Sequence, residues 1–373
     1  MSGEAVPRAL LVDDDASEGD SIANVLDDGV TLVCAAQRPA EGFEATVTAL
    51  REALGDEGAR VALLDYRLDD HELPEGAQTQ FRGGTVAGFL RDVAPEIPIV
   101  LVTSDEKLRA WVETRPGVEE VFDWTLIKQE IVRRGRAADL RAQVADIALT
   151  WATLTVATEN AAALWEELAG VLDADPRLLE PFSRLETNAP RPNVPGAVAR
   201  WLLQRALAWD GPLVRDAQAR AALGITAPSF ELPEVQSWLG DARYAGPLQA
   251  FGRRWWAARL HGAVARAAGG TRPVEARARA AVIAEAAGVA VEAELCQWCR
   301  GERTVRACWL CGRPSDAAHA VRFLSDAPPA WAEARVACYS CIAEGRADEG
   351  VVFPPDAEDV VAELRSGRLV PTE

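Results

Sequence analysis

Five apolar runs punctuate the first third of the chain: ALLV (9–12), VTLVCA (30–35), VALLD (61–65), IPIVLVT (97–103) and VFDWTLIK (121–128). Each is short and dominated by branched or aromatic side chains, the pattern of strands buried on both faces. Between them, residues 17–27, 40–54, 84–93 and 106–113 carry apolar positions at helical spacing. Strand and helix in alternation predict an α/β fold: a doubly wound, five-stranded parallel sheet whose ligand site lies at the carboxyl ends of its strands. The stretch RLDDHELPEGAQTQFRGG (67–84) is long, polar and rich in turn formers, and it follows one of those ends. A loop of that length beside a site is usually functional or mobile.

After Lys128 the strand signals stop. Residues 129–170 predict one or two long helices, NAPRPNVPG (188–196) a linker or bend, and AVARWLLQRALAW the start of further helices reaching about residue 294. The expected division is 1–132 for the α/β domain, 133–294 for an α-helical domain, 295–345 for a cysteine-rich module and 346–373 for an acidic tail. Tryptophans 151, 165, 201, 209, 238, 255 and 256 are expected in the helical core.

Charge sharpens this division. The net charge is −18, and nearly all of the acidic excess falls before residue 131. That argues against nucleic-acid binding by the first domain. From Arg243 to Arg279 arginines accumulate with Glu275 as the sole acid. A solvated helix face is the first reading, docking on an acidic partner the second, nucleic-acid contact the third. His261 reads as a surface or satisfied histidine. No run is long and apolar enough for a membrane span and no signal peptide is apparent, so a cytoplasmic protein with no membrane partner is expected.

Polar residues gather where the strands end. Strand one closes on Asp13, Asp14 and Asp15, strand three on Asp65, strand four on Thr103 and strand five on Lys128. Converging carboxylates repel unless a cation sits among them, and hard oxygen donors suit Mg²⁺. The basic residues number 39, yet only Lys107 and Lys128 are lysine. An ammonium on a flexible stem reaches one oxygen in a crowded pocket where a planar guanidinium fits poorly.

ALLVDDD, VALLDYRL, GGTVAGFLRDVAPEIPIVLVTS and the terminal Lys128 together resemble the receiver domain of bacterial response regulators, over residues 6–132. The resemblance implies a flavodoxin-like fold, Mg²⁺ held by Asp13, Asp14, Asp65 and the backbone carbonyl of Arg67, a phosphoacceptor at Asp65, a switch hydroxyl at Thr103 and a phosphate-pairing Lys128. It implies a histidine kinase as phosphodonor and no enzymatic activity beyond self-phosphorylation and autodephosphorylation. Three features depart from the family: Gln129 stands where proline usually follows the lysine, Thr125 (beside Trp124) where an aromatic switch is usual, and the 67–84 loop is longer.

Six of the seven cysteines form three pairs, CQWC (296–299), CWLC (308–311) and CYSC (338–341). Such pairs ligate tetrahedral zinc, one or two ions here. Either Cys308, Cys311, Cys338 and Cys341 share one ion, leaving Cys296 and Cys299 to His319 and an acid such as Asp316 or a water, or the first two pairs share an ion and His319 joins the last. Cys34 reads as a buried core residue. CWLCGRPSDAAH with VACYSC also resembles, weakly, the treble clef of HNH endonucleases, which would make His319 a general base. The expected protein is a phosphoprotein of two-component signalling that relays a switch to a protein partner through its helical and zinc-binding parts. A bacterial conflict system is one setting; a nucleic-acid-binding or HNH-like effector is the alternative.

Overall fold

The structure, a computed structural model, describes residues 8–13, 16–26, 31–34, 43–55, 58–66, 68, 82–104, 121–129, 137–154, 163–190, 194, 196–324, 328–347 and 351–371. The chain divides into two compact units. One comprises Met1–Leu172, Pro190–Gln204 and Gly246–Phe251; the other comprises Asp173–Ala189, Arg205–Ala245 and Gly252–Glu373.

The first unit is built on strands β1 (Arg8–Val12), β2 (Thr31–Cys34), β3 (Val61–Asp65), β4 (Ile99–Thr103) and β5 (Trp124–Ile127), in the order β2-β1-β3-β4-β5 and all parallel. Residues 9–12, 61–64 and 99–102 are at most 1% exposed, which is why these runs carry no alternation. Helices α1 (Ala16–Leu26), α2 (Phe43–Gly55) and α3 (Gly83–Val93) fall near the positions their spacing predicts. The expected helix at 106–113 lies outside the described residues, as does most of the 67–84 loop. At the start of α3, Gly83 is indispensable: a Cβ there would sit 2.2 Å from the carbonyl oxygen of Asp65.

Helix α4 (Ala137–Thr153) packs beside α1, and Arg141 donates to the Val25 carbonyl at 2.7 Å. Helix α5 (Leu164–Val171) follows. Two later segments return to this unit. Backbone amides of Leu248 and Ala250 donate to Asp146 of α4 at 3.1 and 2.9 Å, and Phe251 meets Trp124 edge to face. Helix Ala197–Trp201 brings Arg200 to Asp123, and Gln204 donates to the Phe122 and Asp123 carbonyls.

In the second unit, helices Asp216–Leu223, Pro233–Trp238, Ala257–Ala267 and Ala276–Ala287 enclose Phe230, Trp255, Leu260, Val264 and Ile283. The absence of strands expected after Lys128 is corrected here: β6 (Leu213–Arg215) pairs antiparallel with β7 (Arg254–Trp256). Three residues are too few for alternation to register in a sequence, and Trp255 and Trp256 are both buried. Several arginines of this region are paired, while Arg243 and Arg266 are exposed. Arg253 bonds Asp216 and Glu231, Arg254 the Leu207 carbonyl, Arg272 the Ala222 carbonyl and Arg277 Glu302.

The cysteine-rich part holds hairpin β8 (Thr304–Ala307) and β9 (Pro314–Asp316), then β10 (Ala320–Arg322) paired with β11 (Val336–Cys338), and helix Tyr339–Ala343. The expected acidic tail contributes to its core: helix Glu358–Arg365 buries Val361 and Leu364 in a cluster with Trp298 and Ile342. Their i, i+3 spacing is an apolar stripe on an otherwise acidic helix. No helix among the described residues is long and apolar enough to cross a membrane.

Candidate functional site

Strand register assembles the first site. Val12 pairs with Leu64, so the next residues along, Asp13 and Asp65, stand level on adjacent strands. Asp65 pairs with Val102 and Thr103 with Ile127, which sets Thr103 and Lys128 at the same rim. Asp13, Asp65 and Thr103 are 0%, 2% and 1% exposed, polar groups embedded at the ends of apolar strands. Lys128 Nζ lies 3.0 Å from Asp65 Oδ2 and 3.3 Å from Asp13 Oδ2. The backbone N–H of Tyr66 donates to Asp65 Oδ1 at 2.7 Å, so contacts at both oxygens orient this carboxylate.

One ammonium shared by two buried carboxylates leaves a net negative cup, and its donors are hard oxygens of the kind a small divalent cation prefers. Asp14 and Arg67, the other expected metal ligands, lie outside the described residues. Of the expected residues, the structure therefore unites Asp13, Asp65, Thr103 and Lys128 at one edge of the sheet.

Sequence reading passed over Asp123. It is 1% exposed and accepts from Arg91 Nη2 and Arg200 Nε, each at 2.6 Å, and from the Ile99 amide at 2.7 Å. A lone acid inside the apolar run VFDW was the available signal, since a carboxylate buried among strands must be paired.

The second site lies in the cysteine-rich part, where all six cysteines are free of disulfides. They and His319 fall into two groups, each able to hold a metal ion: Cys308, Cys311, Cys338 and Cys341; and Cys296, Cys299 and His319. Of the two partitions the spacing allowed, the structure adopts the first. Cys308 and Cys311 occupy the turn of the β8–β9 hairpin, closed by Gly312 N–H to the Cys308 carbonyl at 2.8 Å. Cys338 ends β11 and Cys341 sits in the helix that follows.

The Cys308–Cys341 and Cys311–Cys338 sulfur separations are both 3.8 Å, and the Cys338 amide donates to Cys308 Sγ at 3.2 Å. Hydrogen bonds from Cys311 and Cys338 push the Cys308 thiol down to about 2. Burial, then the Cys308 charge, pushes Cys341 up to about 12, and the hydrogen bond to Cys308 pushes Cys338 up as well.

In the smaller group, CQWC turns back on itself: the Arg300 amide donates to the Cys296 carbonyl and the Gly301 amide to Cys299 Sγ at 3.3 Å. His319 ends a short 3₁₀ turn capped by Asp316, whose Oδ1 accepts from the Ala318 amide at 3.0 Å. The His319 ring meets Tyr339 edge to face, and its Nδ1 is buried with no hydrogen-bond partner. A nitrogen in that state suits a metal better than an apolar wall.

No family model matches the chain, and no curated protein matches it. The solved structures it is similar to include receiver domains. One is a response regulator receiver domain protein from Clostridium thermocellum, at 15% identity and a TM-score of 0.28, covering 40% of this chain and 98% of that one. Another is the N-terminal signal receiver domain of a two-component response regulator from Bacteroides fragilis, at 17% identity and a TM-score of 0.25, covering 34% and 86%. A third is the receiver domain of NtrX from Brucella abortus, at 18% identity and a TM-score of 0.26, covering 38% and 97%. Likenesses this low leave the reading of the site to this chain's own strand order and side chains.

Proposed function

We propose that the first unit is a phosphoaccepting receiver of the two-component type, with Asp65 as the acceptor. The observation that carries this reading is Lys128 Nζ placed between Asp65 Oδ2 and Asp13 Oδ2. In the transfer, an Asp65 carboxylate oxygen forms a bond to phosphorus. The bond from phosphorus to the imidazole nitrogen of a histidine kinase's phosphohistidine breaks, and its electron pair returns to that nitrogen. Lys128 neutralises charge on the phosphoryl oxygens and Thr103 hydrogen-bonds one of them, so catalysis is positioning plus electrostatics. Mg²⁺, when bound by Asp13, Asp14, Asp65 and the Arg67 carbonyl, supplies the remaining neutralisation. The acyl phosphate brings roughly −1.5 to −2 of charge, taking a phosphate ester as guide, enough to tilt a two-state element and pass the change to the second unit.

The metal of the cysteine groups is read as zinc. Tetrahedral zinc with sulfur at about 2.3 Å requires sulfur–sulfur edges of about 3.8 Å, matching the separations in the four-cysteine group. His319 is read as a ligand beside Cys296 and Cys299 rather than as a nuclease base.

The test is direct. Acetyl phosphate with Mg²⁺ adds one phosphoryl group to the wild-type chain and none to Asp65→Asn, read by intact mass. A wild-type chain left unmodified by acetyl phosphate and by a histidine kinase would make the unit a scaffold instead.

A further inference from the structure

The two cysteine groups are chemically unequal. Cys308, Cys311, Cys338 and Cys341 supply four sulfurs, a complete tetrahedral shell. Cys296, Cys299 and His319 supply three ligands whose donor atoms lie within 4.8 Å of one another. The rest of residues 205–373 offers this group no further thiol or imidazole. The remaining histidine there is His261, on helix Ala257–Ala267 with Arg272 and Arg279 as its charged neighbours. Within this unit, whatever takes the fourth corner is therefore an oxygen donor; otherwise it comes from outside the unit.

Asp316 is a described carboxylate near this group. A Cβ built on Gly301 would lie 3.0 Å from Cys299 Sγ and 3.6 Å from Asp316 Oδ2, so sulfur and carboxylate flank the same small residue. Asp316 Oδ1 is held by the Ala318 amide, within the turn that delivers His319. Asp316 thus fixes the imidazole's approach, and its oxygens stay outside the ligand group itself. A groove of about 540 Å³ opens on Gln297 and Trp298, the two residues between the cysteines of this knuckle.

Charge separates the groups further. Four thiolates around a divalent ion leave a dianionic centre that repels anions. Two thiolates and a neutral imidazole leave an uncharged centre that still accepts one. Three protein ligands with an exchangeable fourth position are the arrangement of zinc acting as a Lewis acid rather than a rivet.

We propose that Cys296, Cys299 and His319 hold a zinc ion with an exchangeable fourth position, occupied by water at rest and by small thiolates as ligands, with Asp316 a positioning residue for His319. The proposal rests on the zinc reading above and is independent of phosphorylation at Asp65.

The experiment uses the full chain, kept reduced with a phosphine. Native mass spectrometry after Zn²⁺ titration gives two ions per chain. Reconstitution with Co²⁺ gives visible bands, part of which shift saturably when 2-mercaptoethanol is added. The shift persists in Asp316→Asn. It disappears in Cys299→Ala and His319→Ala, which retain one ion and the unshifted bands of the four-cysteine centre. Two ions with bands indifferent to thiol would show a closed site, overturning the exchange while leaving the zinc reading intact. A shift seen only in Asp316→Asn would place the carboxylate on the metal and overturn it equally. A single ion in the wild type would remove the second centre altogether.

Discussion

At the scale of single residues, the rim of the first unit shows why position 128 is one of so few lysines in an arginine-rich chain. Its ammonium meets one oxygen of each of two buried carboxylates on neighbouring strands, 3.0 and 3.3 Å away. A guanidinium is built for forked contacts and cannot enter that gap end-on. Lys128→Ala therefore slows acetyl-phosphate loading of Asp65 by about 10²-fold, the usual cost of losing one preorganised electrostatic donor, and Lys128→Arg fails to restore it; time courses of intact mass measure both. Asp123 is the opposite case, a carboxylate whose work is structural. In Asp123→Ala the Ile99 amide loses its acceptor and Arg91 and Arg200 lose their carboxylate partner, Arg91 keeping only the Ile97 and Val121 carbonyls. Removing one partner of a buried pair typically costs about 3–5 kcal/mol, and urea unfolding reads that loss. Asp123→Asn keeps an acceptor oxygen and loses less.

At the scale of elements, the cysteine knuckles are joined to the rest of their unit through an aromatic stack. Trp309, between Cys308 and Cys311, has the Arg215 guanidinium 3.6 Å from its ring centre and Arg335 at 3.8 Å; Arg335 also lies 4.0 Å from Trp209. The knuckle turn holds Trp309 in place, so stripping the metal with a chelator should release the stack. Tryptophan emission then shifts to the red in the wild type, and by much less in Trp309→Leu. An unchanged spectrum alongside confirmed metal loss would show that the turn holds without its ion. The strands were legible for a physical reason: parallel strands covered on both faces are unbroken apolar runs, and 9–12, 61–65 and 99–103 are of that kind. Their carboxyl ends then put Asp13, Asp65, Thr103 and Lys128 on one rim. What escaped was whatever depends on pairing at a distance. β6 and β7 are each three residues long. Asp123 drew no notice within its apolar run, because its partner Arg200 lies 77 positions further on. Helix Glu358–Arg365 was hidden by the acids that cover its solvent side. The partition of cysteines stood open because spacing names ligand pairs and only the fold brings pairs together.

At the scale of the whole molecule, the chain joins two kinds of stabilisation that respond to different chemistry. The first unit has its core in a parallel sheet and concentrates acid at the sheet's rim. The second gathers part of its core around cysteine and histidine side chains, with Cys296, Cys308, Cys338 and Cys341 among its buried residues. A ligand stabilises only the cooperative unit that binds it, by about 2.7 kcal/mol at a hundredfold excess over its Kd. For a unit of 150–250 residues that corresponds to a rise of about 5–10 °C in its midpoint. Calorimetry of the full chain should accordingly resolve two transitions. Mg²⁺ raises one of them, and Asp13→Asn abolishes that response; a chelator specific for zinc lowers the other and leaves the magnesium-sensitive one in place. A single transition moved by both treatments would mean that the two units melt as one, with acid cup and cysteine groups sharing their stability rather than holding it separately. Two transitions with neither responding to magnesium would instead remove the cation from the acid cup, and with it the charge neutralisation on which the proposed phosphoryl transfer to Asp65 depends.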